Sequence, residues 1–70
     1  MVASIIVNVF TQDKKYLLFG GDVYDATKWL TDMIGKPAGP EILWAINDGI
    51  EEFEIQTIQC RTQLSIVIRY

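Results

Sequence analysis

Pro40-Glu41-Ile42-Leu43-Trp44-Ala45-Ile46-Asn47-Asp48-Gly49-Ile50-Glu51-Glu52-Phe53-Glu54-Ile55-Gln56 is the stretch on which the fold turns, because it has two readings. As a hairpin, a two-residue turn at Asp48-Gly49 pairs Trp44 with Phe53 and Ile42 with Ile55. Glu41, Leu43 and Ala45 then face Glu52, Glu54 and Gln56, so one face is apolar and the other mostly polar. As a helix, Pro40 opens the first turn, and Ile42, Ile46, Ile50 and Phe53 line up at four- and three-residue steps. That version puts Asn47-Asp48-Gly49 inside a helix over 40–53, where such residues are poor formers. The hairpin is the preferred reading, with Trp44 and Phe53 as a core pair, and the helix is its alternative.

Upstream, Ser4 to Phe10 is β-branched and aromatic and apolar on both faces, which predicts a strand that is central or covered on both sides. Thr11-Gln12-Asp13-Lys14 is a polar turn, and Lys15 to Phe19 returns to complete a hairpin. Gly20-Gly21-Asp22 breaks the strand, and the Asp22 carboxylate suits a helix N-cap. At 100° per residue, Val23, Ala26, Thr27, Leu30, Met33 and Ile34 form one stripe opposite Asp25, Lys28 and Asp32, which makes an amphipathic helix. Gly35 is its expected left-handed cap, and Pro37 forbids continuation. Lys36 to Pro40 is a loop.

Downstream, Cys60-Arg61-Thr62-Gln63 reads as a turn, and Leu64 to Tyr70 as the last strand. The expectation is a single α+β domain over 1–70, a small antiparallel sheet of about five strands with one amphipathic helix on one face, in the order ββαβββ. One helix cannot cover five strands. Apolar positions centred on Val7 and Ile66 on the other face are therefore expected to need a second cover, supplied by a partner chain.

Seventy residues, half of them apolar, with nine acids against six bases, also bound the chemistry. A chain this short has few fully buried positions, so part of its apolar surplus is expected to face another copy, and a homo-oligomer follows. A lone Cys60 excludes a disulfide within the chain. Without a basic leader, a lipidation motif or an apolar run of membrane-spanning length, the expected location is cytoplasmic, with no membrane partner.

Histidine is absent, which removes the histidine-based nucleophile systems and the common zinc and haem ligand sets. Cys60 reads as a small hydrophobe rather than a nucleophile. Gly20-Gly21 lacks the surrounding pattern of a phosphate-binding loop, and the calcium-loop pattern is missing. Cleavage of RNA by Arg61, Arg69 and Tyr70 would require holding a polyanion, which the acidic balance opposes; no direct nucleic-acid contact is expected. The expectation is therefore no enzyme, no cofactor and no metal.

Two functional expectations stand. In the first, Glu41, Asp48, Glu51, Glu52 and Glu54 form an acidic surface that docks on a basic surface of a host protein. This is the manner of a small acidic phage or mobile-element inhibitor. The alternative is a homo-oligomeric binder that sequesters a small nucleotide or metabolite between subunits. Tyr24, Trp29 or Tyr70 would stack on that ligand and Lys28, Arg61 or Arg69 would hold its charge, the same residues otherwise serving an oligomer interface.

Overall fold

The computed structural model describes residues 1–10, 13–57 and 63–70. Its elements are β1 (Ser4–Phe10), β2 (Lys15–Gly21), α1 (Val23–Ile34), α2 (Gly39–Asn47), β3 (Glu52–Gln56) and β4 (Gln63–Arg69). All pairings are antiparallel, and the sheet order is β2-β1-β4-β3. The class is thus α+β as expected, but with four strands and two helices, in the order ββααββ.

The correction lies in residues 39–56, where α2 replaces the expected first strand of a hairpin. Pro40 occupies the first turn, where its missing N–H costs nothing. Ile42 and Ala45 are buried and Ile46 packs beside them, which is helical spacing. Asp48 is the C-cap and Gly49 takes φ 69° immediately after it, so the pair that suggested a hairpin turn ends a helix instead. The helix alternative overran in turn: α2 stops at Asn47, and Phe53 belongs to β3. Trp44 does not pair with Phe53. It is 56% exposed on α2, whereas Phe53 sits opposite Ile66 in the sheet.

α1 forms where the sequence placed it. Asp22 has extended backbone, and its carboxylate accepts the Asp25 N–H at 2.8 Å, satisfying one of the orphan donors of the first turn. Ala26, Leu30 and Ile34 are buried, and Gly35 at φ 72° returns its N–H to the Thr31 carbonyl.

The core lies between the helices and one sheet face. Ile5 opposes Ile68, Val7 opposes Ile66, and Ile55 opposes Leu64, and all six are buried. Val7 and Ile66 therefore need no second cover, contrary to expectation, because the helices already exclude water from both. Alternation puts Ile6 and Val67, which pair with one another, on the opposite face. Parts of two expected turns, Thr11-Gln12 and Cys60-Arg61-Thr62, lie outside the described residues.

Candidate functional site

The five acids singled out in the sequence are divided by α2 among three places. Glu41, in the first turn of α2, pairs with Lys36 at 3.3 Å. Asp48 caps the other end of the same helix, and Glu51 is exposed in the connection to β3. Glu52 and Glu54 stand on β3, on the face away from the helices. There Glu52 accepts from the Ser65 hydroxyl at 2.6 Å, and Glu54 accepts from the Gln63 side-chain amide.

Two exposed aromatics join the middle group. Trp44 precedes Asp48 by one turn of α2, and the Asp48 N–H donates to the Trp44 carbonyl at 3.0 Å. Tyr70, 50% exposed, donates its hydroxyl to the carbonyl of Ile50, the residue before Glu51, at 2.8 Å. Trp44, Asp48, Glu51 and Tyr70 thus mark one end of the domain. The last turn of α2 carries no base, so Asp48 adds negative charge where the helix dipole is already negative. Exposed Trp and Tyr beside acids that no base among the described residues pairs with form a surface suited to a protein carrying positive charge.

The exposure of Trp44 was not expected, because strand alternation placed it inward. Stepping 100° per residue from Ile42 puts Ala45 and Ile46 near it and Trp44 nearly opposite, so the helical reading of the same residues carries the signal.

Among the described residues, the expected ligand-holding side chains are divided between α1 and the end of β4. Tyr24 is exposed on α1, with the Lys28 ammonium 5.4 Å from its ring centroid, an intrahelical cation–π contact. Trp29 stacks on Phe19 at 5.6 Å between centroids and packs against the core, so its ring already has an occupant. Arg69 pairs with Ser4 on the sheet face that α1 does not touch. Arg61 lies outside the described residues, as does Cys60.

Among the described residues, no three or more Cys, Asp or Glu side chains are grouped to hold a metal ion. No helix there is long and apolar enough to cross a membrane. The fold and surfaces define a small α+β domain, one four-stranded antiparallel sheet with two helices. No protein-family model matches the chain, and neither the curated proteins nor the solved structures with which it was compared give a match.

Proposed function

We propose that the chain is a non-catalytic protein-binding module that docks the end formed by Trp44, Asp48, Glu51 and Tyr70 on a basic surface of another protein. The observation that supports this most is the exposure of Trp44 beside Asp48 at the uncompensated carbonyl end of α2. An aromatic anchor with a charged rim is the composition that concentrates binding energy in protein interfaces. Occupying a basic surface in this way blocks it without any chemical step, which suits a small acidic inhibitor of phage or mobile-element type.

The test compares proteins captured from the producing cell's extract by the wild type, by the double variant D48K/E51K and by E41K, whose position lies at the other end of α2. A basic protein held by wild type and E41K but released by D48K/E51K is the expected result. Equal capture by all three overturns the assignment of this end.

A further inference from the structure

The sheet ends in two strands of different character. At β2 the register against β1 shifts between Val7 and Asn8, so Leu18 has no partner of its own between Leu17 and Phe19. A bulge of this kind twists an edge away from further pairing. β3, at the other edge, keeps one unbroken register on β4, from Glu52 opposite Val67 to Gln56 opposite Gln63. Among the described residues no element pairs with its outer side.

The register also settles which backbone groups point outward. The Ile68 N–H donates to the Glu51 carbonyl at 2.8 Å, in line with that register. Alternation then makes Phe53 with Ile66 and Ile55 with Leu64 the hydrogen-bonded pairs, and directs the N–H and C=O groups of Glu52, Glu54 and Gln56 away from β4. These three residues are exposed, with side chains on the face away from the helices, while Phe53 and Ile55 pack toward the core. Each outward backbone pair on Glu52 and Glu54 therefore comes with a carboxylate on the same residue. The Ser65 hydroxyl and the Gln63 amide hold those carboxylates over the sheet and leave them acceptor capacity, since an ionised carboxylate accepts about four hydrogen bonds. No base among the described residues pairs with either.

We propose that this edge binds an extended segment of a partner protein as a fifth, antiparallel strand, and that the segment alternates basic and apolar residues. A strand laid antiparallel on β3 forms hydrogen-bonded pairs with Glu52, Glu54 and Gln56, about 5.5 Å apart at Cα. Side chains of its paired residues fall on the face of the glutamates, so Lys or Arg there makes opposite-charge cross-strand pairs. The residues between them stand beside Phe53 and Ile55, where apolar side chains extend the surface under the helices. Phe53 is half-buried and has area left to cover. Main-chain hydrogen bonds supply the attachment, and the alternation supplies the choice of segment. A second copy of β3 is a poor occupant, because full antiparallel overlap sets Glu54 directly against Glu54 of the other chain. The inference uses none of the side chains of the docking end at Trp44 and goes beyond that reading.

The full chain titrated with the synthetic peptide Thr-Lys-Val-Lys-Val-Lys-Thr, followed by amide NMR and hydrogen exchange, tests it. Saturable binding is expected, with exchange slowed at the Glu52, Glu54 and Gln56 amides. N-methylation of the lysine amides, which face β3, should weaken binding by at least about tenfold, whereas N-methylation of the valine amides, which point away, should not. E52Q/E54Q keeps an acceptor for the buried Ser65 hydroxyl and removes both charges, and it too should bind at least about tenfold more weakly at low salt. Trp44→Ala should bind the peptide as the wild type does, whatever becomes of the docking end. No saturable binding overturns the proposal, as does equal binding of a peptide with its three lysines in one block. Binding indifferent to methylation of the lysine amides reduces the contact to charge alone and overturns strand pairing. Undiminished binding by E52Q/E54Q, or loss with W44A, places the peptide elsewhere and overturns it as well. Slow exchange at the same three amides in a peptide-free dimer gives the edge to a second copy and overturns the proposed occupant.

Discussion

Thr31 and Ala38 are joined by a hydrogen bond that ties the end of α1 to the start of α2: the Ala38 N–H donates to the Thr31 hydroxyl at 3.1 Å, while that hydroxyl donates to the Thr27 carbonyl at 2.7 Å. Ala38 is fully buried and is the residue from which α2 starts. Its N–H has no helical partner of its own, being among the orphan donors of a helix start.

Thr31→Val keeps the shape and removes the acceptor, stranding that buried N–H. The expected cost is about 1–3 kcal/mol, read as a lower urea midpoint at unchanged slope. Thr31→Ser keeps the hydroxyl and should lose much less. No loss in Thr31→Val would show that the Ala38 N–H does not depend on this hydroxyl, and a loss in Thr31→Ser as large as that in Thr31→Val would give the γ-methyl contact equal weight.

Gly20 and Gly49 both have open space where a Cβ would stand, yet alanine should act with opposite sign at the two. Gly49 has φ 69° as it ends α2, and an L residue held there costs about 1–2 kcal/mol. Gly20 lies in β2 with no positive φ, so Gly20→Ala restricts the unfolded chain and should stabilise by about 0.4–1 kcal/mol. Thermal melts of the two variants check both signs.

The same glycine shows why only part of the fold was legible. Ser4–Phe10 and Val23–Ile34 were readable because several signals agreed there: apolar β-branched residues in the first, and the Asp22 cap, the stripe and Gly35 in the second. At Asp48-Gly49 one local signal serves two structures, since a two-residue hairpin turn and a helix end both call for positive φ. Local chemistry could not choose, and tertiary packing did: Ile42 and Ala45 reach the core together only from a helix. The grouping of the acids followed from the same hairpin. Asp48 and Glu51 were named, but on one hairpin face with Glu52 and Glu54, and Trp44 was assigned to the interior.

The two tryptophans give a direct optical check of α2. Trp29 is half-buried against Phe19 and Trp44 is more than half exposed, so acrylamide should quench two distinct populations. Trp44→Phe should leave a single shielded, blue-shifted emission, and Trp29→Phe a single accessible one. A shielded Trp44 would return it to Phe53 and contradict the helix.

Asp48 allows stability and binding to be separated. A carboxylate at the negative end of a helix is unfavourable, and a cation there is favourable by typically about 0.3–1 kcal/mol at low salt. The Asp48 backbone is right-handed helical, φ −87° and ψ 0°, which lysine adopts without strain. Asp48→Lys should therefore raise the melting temperature slightly, with the gain shrinking as salt screens it. If this end docks on a basic protein, the same substitution should weaken that binding, chiefly through slower association at low ionic strength. A variant that is more stable and binds less well cannot owe its loss to unfolding, so the pair of measurements assigns the carboxylate to recognition. A variant more stable with binding unchanged would leave Trp44, Glu51 and Tyr70 as the remaining contacts to substitute.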